Sequence, residues 1–266
     1  MSSAAEASKT QRLYLLLRHR IVSGELGVGD KLPSEPELGS LHGVSRVTVR
    51  RVLGQLEEEG LISRQPGIGT FVQHDGFRHP VKADLANVLA GLTEMGRATT
   101  ARLLSFTYVK PPAPIARALR IAPDERTQRS VRIRAVHGEP FSYLLVHVPE
   151  SIGMTYSEKE LASKSLLGLL ERSGVVIGRA MQTVTATLAT PQLADALNID
   201  IGAPLLGITR VIYDADEQGV QHLQAFYRPD RFIFQMELVR SKQQNQFVWA
   251  PSAGKPARKS KRSVYA

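Results

Sequence analysis

Apolar residues at helical spacing dominate the start of the chain. Leu13, Leu16, Leu17 and Ile21 recur at intervals close to one helical turn among basic residues, which places them on one face of a helix over 11–21. Glycine and proline are frequent over the following dozen residues, and both residue types interrupt regular elements. The first element is therefore an amphipathic helix followed by an irregular connector.

Two shorter helices follow, and a serine stands at the start of each. Ser34 precedes Glu37 by three residues, the spacing of a capping box, and the helix that it begins ends at His42-Gly43. Ser45 caps the next helix. The inward face of that helix is predicted to be the apolar set Val49, Val52, Leu53 and Leu56.

The two short helices and the glycine-containing turn between them form the pattern of a helix-turn-helix motif. Basic and hydroxyl side chains lie in the first two turns of the later helix, whereas three glutamates occupy its far end. A recognition helix enters the major groove with its basic, hydroxyl-bearing start, because Arg forms hydrogen bonds to guanine and hydroxyl groups form hydrogen bonds to phosphate. An ordinary helix with a solvated basic face is the alternative. The DNA contacts predicted for these helices are Ser34, Ser45, Arg46, Thr48, Arg50 and Arg51.

A predicted β-hairpin follows directly and favours the DNA-binding interpretation. Strand-like runs over 61–64 and 70–72 flank a loop with two glycines. After a recognition helix, such a hairpin is the wing of a winged helix-turn-helix, and its glycines allow the backbone to approach the minor groove. A dinucleotide site is a weak alternative, because no helix follows the loop. The wing adds the candidates Arg64, Gln65, Gly67 and Gly69.

The residues of this region also carry a family resemblance, most densely in Gly29-Asp30-Lys31-Leu32-Pro33-Ser34-Glu35, Val44-Ser45-Arg46-Val47-Thr48-Val49-Arg50 and Gly67-Ile68-Gly69-Thr70-Phe71-Val72. Residues 10–73 resemble the DNA-binding domain of GntR-type bacterial transcription regulators. The chain has Pro36 where that family usually has an Arg that contacts DNA, so the operator preferences of relatives do not transfer directly. The resemblance implies base or phosphate contacts by Arg46 and Arg50, DNA-backbone contacts by Ser45 and Thr48, and a wing contact at Gly67.

Composition limits the class of protein. The 266 residues are 42% hydrophobic and 22% charged, as in globular proteins, and the absence of cysteine excludes disulfides, thiol catalysis and Cys-based metal sites. Neither a membrane-spanning run nor a secretory signal is present, so we expect a cytoplasmic bacterial protein that is nucleoid-associated when bound to DNA. The net charge is +9, but residues 241–266 contribute six basic residues and no acid. The overall charge is therefore weak evidence for a DNA-binding fold.

The second half of the chain alternates strand-like runs with short helices. Helices are predicted over 85–92, 114–119, 165–172 and 191–197, and a three-strand meander over 204–213, 220–227 and 232–239. Strands are also predicted over 100–110, 126–136, 141–148 and 176–190. This pattern indicates an α+β domain on one antiparallel sheet. The expected organisation is a flexible N-terminus at 1–9, a winged helix-turn-helix at 10–76, a linker at 77–84, an α+β domain at 85–240 and a disordered basic tail at 241–266.

A second resemblance is carried by Val131-Arg132-Ile133-Arg134, Gly138-Glu139-Pro140, Ser165-Leu166 and Tyr227-Arg228-Pro229-Asp230-Arg231-Phe232. This half resembles the UTRA effector-binding domain of the HutC subfamily of GntR regulators, whose fold is similar to that of chorismate lyase. Relatives often carry Glu where this chain has Leu144 and Gln221, which favours a less polar anionic ligand than an amino-sugar phosphate. The resemblance implies dimerisation through this domain and effector contacts by Arg132, Arg134, Ser165 and Tyr227.

The charges of the two strand arginines also allow an inference that does not depend on the resemblance. Arg132 and Arg134 are two residues apart on a strand, so both side chains project from the same face of the sheet. Two guanidinium groups this close repel unless an opposite charge offsets them. Either acids of the same domain or an anionic ligand would supply that charge. His74 and His79 lack a carboxylate at metal-ligand spacing, so neither a metal nor another cofactor is expected.

Together these features predict a ligand-responsive transcription regulator and not an enzyme. We expect a homodimeric repressor on double-stranded DNA, released from an inverted-repeat operator by a small anionic metabolite. One alternative is an enzyme that uses the chorismate-lyase-like fold, although the sequence offers no nucleophile–base or metal constellation. Another alternative is a non-specific architectural DNA-binding protein, which the basic tail would favour.

Overall fold

The chain divides between His79 and Pro80 into two units, each with its own hydrophobic core. The computed structural model describes residues 2–73, 81–84, 99–243 and 246–251. The helix predicted over 85–92, the first part of the linker with His74 and His79, and the tail beyond residue 251 lie outside these ranges. The two units are described separately below.

The N-terminal unit consists of three helices and a two-stranded hairpin. Its elements are α1 (Ser2–Val22), α2 (Glu35–His42), α3 (Arg46–Glu58), β1 (Ile62–Gln65) and β2 (Gly69–Val72), and the two strands are antiparallel. The order of helices and hairpin is that of a winged helix-turn-helix. The core contains the predicted inward face of α3, packed against Leu13, Leu17, Ile21, Leu38 and Ile62.

The first helix begins earlier than the sequence pattern indicates. We expected a flexible segment over 1–9, whereas α1 starts at Ser2. Three alanines and no glycine or proline lie between residues 1 and 9, and such a composition favours continuation of the helix. The predicted boundary is therefore too late, because the apolar period that defines the buried face begins only at Leu13.

Side chains and backbone geometry define the ends of α2 and α3 as predicted. The Ser34 and Glu37 side chains form a complete capping box at the start of α2. Gly43 ends this helix with φ = 59°, a left-handed conformation that favours glycine. The Ser45 hydroxyl accepts a hydrogen bond from the Thr48 backbone N–H at 3.1 Å and so caps α3. These local contacts fix the turn between the two helices.

The C-terminal unit is an α+β domain built on a six-stranded antiparallel sheet in the order β4-β5-β6-β9-β8-β7. Its strands are β4 (Thr100–Val109), β5 (Thr127–Val136), β6 (Glu139–Pro149), β7 (Ile177–Leu188), β8 (Pro204–Asp214) and β9 (Gly219–Tyr227). The connecting helices are α4 (Ala113–Leu119), α5 (Glu150–Gly153), α6 (Glu158–Ser163), α7 (Leu166–Arg172) and α8 (Pro191–Leu197).

The two faces of this sheet bury different clusters. On one face, Leu144 and Ala225 pack in a core that includes Leu166 and Leu169 of α7. On the other face, the cluster includes residues of α8 and the sheet residues Val131, Ile133, Tyr143 and Leu205. The alternation of side chains along each strand separates these two clusters.

The strand predicted over 232–239 does not complete a meander with β8 and β9. Instead β10 (Phe232–Gln235) pairs in parallel with β3 (Val81–Asp84). Pro229 follows β9 and has no N–H to extend its ladder, and Arg228 turns its guanidinium to the backbone oxygens of Pro140 and Leu197. The predicted linker over 77–84 therefore ends before residue 81.

The start of the predicted basic tail is also structured. β11 (Leu238–Gln243) pairs in antiparallel fashion with β12 (Gln246–Pro251), so the prediction of disorder from residue 241 is wrong up to Pro251. Phe247, Val248 and Trp249 have high strand propensity, whereas the basic residues are concentrated later, from Lys255 to Arg262. The composition therefore changes within 241–266, between the structured and the strongly basic part.

Candidate DNA-binding and effector sites

The exposed basic residues of α3 lie in its first two turns. Arg46 and Arg51 are exposed, and no ion pair within the described part of the chain includes either of them. The Arg50 side chain is 70% exposed, and its Nε lies 2.7 Å from Glu35 Oε2. The free N–H groups at the start of a helix add a positive partial charge at the same end. This end of α3 is therefore suited to a polyanion.

The predicted hydroxyl contacts are partly used within the protein. Thr48 is only 5% exposed, and its Oγ1 lies 2.9 Å from Ser45 Oγ. The Ser34 hydroxyl donates to Glu37 Oε2 at 2.7 Å. Ser34 therefore caps α2, and the Thr48 hydroxyl contacts Ser45, the cap residue of α3. Ser45 remains exposed at the helix start.

The wing contains two kinds of candidate. Gln65 and Gly67 are exposed at its tip, and Gly67 has φ = 74°, which favours glycine. Arg64 instead pairs with Glu57 of α3, with 2.8 Å between Arg64 Nε and Glu57 Oε2. Its backbone N–H also donates to Glu57 Oε1 at 3.0 Å. Arg64 therefore holds the wing against the recognition helix, and a contact of Arg64 with DNA stays a prediction.

Lys31 is a basic residue beside the wing that the sequence did not single out. A Cβ atom at Gly69 would lie 2.5 Å from Lys31 Cε, so the glycine leaves room for this side chain. Lys31 Nζ lies 5.9 Å from the centre of the Phe71 ring. Its position in the Gly29-Asp30-Lys31-Leu32-Pro33 run is the sequence feature that could have identified it. Lys31 adds an exposed cation near the base of the wing.

In the C-terminal unit, sheet register brings the predicted effector residues onto one face. Residues directly opposite on neighbouring strands share a face, and the pairings connect β5, β6, β9 and β8 in rows. One row runs through Arg134, Ser142, Tyr227 and Leu206, and the next through Arg132, Leu144, Ala225 and Ile208. A third row runs through Ser130, Val146, Leu223 and Arg210 and reaches Gln182 on β7.

Arg132 is a buried cation without a described counter-charge. Arg132 is 7% exposed, and its Nε has no hydrogen-bond partner among the described residues. No ion pair of the described residues includes Arg132. Burial, followed by the charge of Arg134, lowers the pKa of Arg132 to about 10. The described residues therefore include no acid of the same domain that pairs with Arg132.

Arg134 lies beside Arg132 and is less deeply buried. Its Nε donates a hydrogen bond to Thr99 Oγ1 at 2.9 Å. Burial lowers its pKa, and the nearby Tyr227 hydroxyl opposes that effect. The predicted arginine pair is therefore brought together on one sheet face.

Tyr227 lies in the row of Arg134 and is buried against aromatic residues. Its ring stacks on Phe232, with 4.0 Å between the ring centres. Burial raises the pKa of Tyr227, whereas the positive charges of Arg210, Arg134 and Arg132 act in the opposite direction. All three guanidinium groups therefore lie within electrostatic reach of this hydroxyl.

Ser165 has a structural contact in addition to its predicted role. Its Oγ accepts a hydrogen bond from the Gly168 backbone N–H at 3.1 Å and caps α7. No hydrogen bond of the described residues joins it to Arg132 or Arg134. Ser165 therefore remains an effector candidate by resemblance alone, at the start of the helix whose Leu166 packs in the core with Tyr227.

Arg210 is the main residue of this face that the sequence did not single out. It is 2% exposed, and its Nε and Nη2 donate to Gln182 Oε1 at 2.7 and 2.5 Å. Its Nη1 has no hydrogen-bond partner within the described ranges. A lone charged residue inside the otherwise uncharged run from Pro204 to Tyr213 was the available signal. The hydroxyls of Ser130 and Ser142 on the same face are also buried without a described partner.

Each of the two units is similar to a known protein family. Residues 9–72 match the family described as bacterial regulatory proteins, gntR family, and residues 94–233 match the UTRA domain. The HTH-type transcriptional repressor NagR of Bacillus subtilis is 30% identical over 219 residues, which are 82% of this chain and 89% of that protein. The chain belongs to the gntR family of bacterial regulatory proteins. It is a DNA-binding transcription regulator with a UTRA domain.

Two further comparisons support the same architecture for this GntR-family regulator. The HTH-type transcriptional regulator Rv0792c of Mycobacterium tuberculosis is 29% identical over 247 residues, 90% of this chain and 89% of that protein. The crystal structure of the possible transcriptional regulator YydK from Bacillus subtilis aligns with a TM-score of 0.53 and 25% identity, covering 86% of this chain and 98% of that one. The predicted family and fold class are confirmed.

No helix among the described residues is long and apolar enough to cross a membrane. Within the same ranges, no group of three or more His, Asp or Glu residues is placed to hold a metal ion.

Proposed function

We propose that this GntR-family regulator is a homodimeric repressor that binds an inverted-repeat operator and is released by a small anionic effector. It acts in the cytoplasm and is nucleoid-associated when bound to DNA. The exposed start of α3 and the wing tip bind the operator, and the arginine-bearing face of the UTRA sheet binds the effector. The name of the similar NagR protein, a transcriptional repressor, supports the direction of regulation.

The burial of Arg132 is the observation that supports an anionic effector. A buried charge without an opposite charge or hydrogen bonds is costly, so such a group is retained where a ligand completes it. A carboxylate or phosphate matches the planar guanidinium with two parallel hydrogen bonds. Arg134 lies two residues away on the same face and adds a second cation. An anion bound here would offset both charges.

The DNA-binding part of the proposal rests on charge and symmetry. Arg46, Arg50 and Arg51 present basic groups at the start of the recognition helix, and Glu57, Glu58 and Glu59 lie at or just beyond its end. A single winged helix-turn-helix covers only a few base pairs, so a two-fold dimer normally reads two half-sites. Sedimentation of the full chain at micromolar concentration tests this part: a monomer that binds one half-site tightly would exclude it.

Release of DNA requires a difference in affinity between two states. An effector shifts the protein only if it binds the low-affinity arrangement of the two DNA-binding units better than the operator-bound arrangement. The coupling free energy of such switches is about 1–3 kcal/mol. The proposed effector site lies in the C-terminal unit, so its loss should leave operator binding by the unliganded protein unchanged.

A thermal-shift screen of the full chain tests the effector class. The probes are inorganic phosphate, small carboxylates, sugar phosphates and phosphonates, because a ligand that binds only the native state raises the melting temperature. We expect at least one anionic class to stabilise the wild type and not Arg132→Gln. Arg102→Gln is the matched control, since Arg102 is an exposed residue opposite Ile133, on the other face of the sheet. Equal stabilisation of wild type and Arg132→Gln would contradict the proposed site.

A further inference from the structure

Arg210 is held in a fixed orientation inside the sheet face that carries Arg132. Both of its hydrogen bonds to Gln182 run to one oxygen on β7, the edge strand beyond β8. This arrangement directs the guanidinium toward β7 and leaves Nη1 buried and without a described partner. Nη1 is therefore an available hydrogen-bond donor in a region closed to water.

Arg210 and Arg132 occupy opposite sides of the same face. Arg132 lies on β5 and Arg210 on β8, with β6 and β9 between them. Three strand spacings separate the two backbones by roughly 14 Å, since neighbouring strands lie about 4.8 Å apart. Gln182 holds the Arg210 side chain on the side away from β5. Because Gln182 holds the Arg210 guanidinium toward β7, away from Arg132, we expect the two arginines to bind separate anionic groups.

The side chains between the two arginines are apolar and buried. Leu144 and Ala225 separate them in the row of Arg132, and Val146 and Leu223 do so in the row of Arg210. No ion pair among the described residues includes Arg132 or Arg210. The face thus carries two separated, buried positive charges with an uncharged region between them. Both charges act on Tyr227, since Arg132 and Arg210 each oppose the effect of burial on the pKa of Tyr227.

We propose that Arg210 is a second anion-binding position of the effector site, so that the effector carries two anionic groups joined by a less polar middle. This inference rests on the proposed function, in which Arg132 and Arg134 bind the first anionic group. Arg210 Nη1 donates to the second group, and Leu144 and Ala225 contact the middle. Arg210 is thereby a specificity-determining residue that distinguishes a dianion from a monoanion of the same shape.

The test compares linear dicarboxylates with their monoamides, which keep the shape and remove one charge. Calorimetric binding to the full chain is measured for succinate through sebacate and for each monoamide. A hydrogen bond to a charged group contributes about 1.5–3 kcal/mol, so the best dicarboxylate should bind roughly 10- to 150-fold more tightly than its monoamide. Arg210→Gln should reduce this ratio to about one, because it weakens binding of the dicarboxylate more than binding of the monoamide.

Further variants separate this inference from the proposed function. Gln182→Ala removes the anchor of Arg210 and should also reduce the dianion preference, which keeps the test open if Arg210→Gln fails to fold. Arg132→Gln should weaken both the dicarboxylate and the monoamide, whereas Arg102→Gln should change neither. If Arg132→Gln weakens binding but Arg210→Gln and Gln182→Ala keep the full preference, Arg210 is structural and only this inference fails. If no dicarboxylate binds better than its monoamide, the inference also fails. Unchanged binding in Arg132→Gln would contradict the proposed function itself.

Discussion

Arg64 of the wing and Glu57 of the recognition helix form an ion pair with 2.8 Å between Nε and Oε2. The same carboxylate accepts a hydrogen bond from the Arg64 backbone N–H. The wing is therefore positioned on α3 by a side chain of α3 itself. Both side chains are partly exposed, so the stabilising effect of the pair is modest.

A double-mutant cycle of Glu57→Gln and Arg64→Gln measures this pair. We expect a coupling free energy of about 0.5–1 kcal/mol in the unfolding of the N-terminal unit, since partly exposed pairs give values of this order. Urea unfolding of the full chain, followed by a probe on that unit, supplies the four stabilities. Operator binding distinguishes the two roles of Arg64. An Arg64→Gln effect on operator affinity that persists in the Glu57→Gln background would show that Arg64 contacts DNA directly.

Arg46 and Arg50 are expected to contribute directly to operator binding. Arg46→Ala and Arg50→Ala should each weaken binding by about 1–3 kcal/mol where a base is read, because both lie in the first two turns of α3. Fluorescence anisotropy with an operator duplex measures the loss, and circular dichroism checks the fold. Arg117→Ala, an exposed position on α4 in the other unit, is the control. Wild-type affinity in both α3 variants would exclude this docking of the helix.

The stability of the C-terminal unit should depend on pH through His147. Burial, followed by the charges of Arg129 and His222, lowers the pKa of His147 to about 4, and its Nδ1 lies 2.8 Å from Thr127 Oγ1. An unfolded His binds a proton below about pH 6.5. Stability is therefore full above pH 6.5 and decreases as the pH falls toward 4, by roughly 1–3 kcal/mol for this residue.

Melting temperatures at pH 7 and pH 5 check the histidine prediction. His147→Gln should lose less stability between these pH values than the wild type. His19→Gln is the control, because His19 is exposed on α1. An identical pH dependence in wild type and His147→Gln would show that other groups control acid sensitivity.

The basic residues after Pro251 should add non-specific DNA affinity. Deleting 252–266 removes Lys255, Arg258, Lys259, Lys261 and Arg262 and no acidic residue. Each lost phosphate contact lowers the salt dependence of log K by about 0.9 on duplex DNA. We expect a flatter salt dependence and an unchanged melting temperature. A large drop in melting temperature would instead assign the segment a structural role.

Local signals in the sequence predicted most of the N-terminal unit. The capping box at Ser34, the cap at Ser45 and the glycine at Gly43 act within a few residues, so the sequence alone defines the helix ends. The hairpin of β1 and β2 is similarly local. The burial of Thr48 is not predictable locally because it depends on packing against other elements, whereas its residue type alone suggests a phosphate contact.

Long-range pairing limited the prediction of the C-terminal unit. The parallel pairing of β3 with β10 joins segments about 150 residues apart, and no local pattern encodes such a contact. The arginine pair could be predicted because positions two apart on a strand share a face. The relation of Arg210 to Arg132 depends on the register across β6 and β9, which the sequence does not reveal.

Control of DNA binding through Arg132 is tested most directly by operator titration of wild type and Arg132→Gln. Each protein is titrated without ligand and with a saturating concentration of the anion that most stabilises the wild type. With a coupling of about 1–3 kcal/mol, wild-type operator affinity should fall roughly 5- to 150-fold on saturation. Arg132→Gln should bind the operator as tightly as the unliganded wild type in both conditions. A full response of Arg132→Gln to the anion would contradict the assignment of this buried arginine to the effector site.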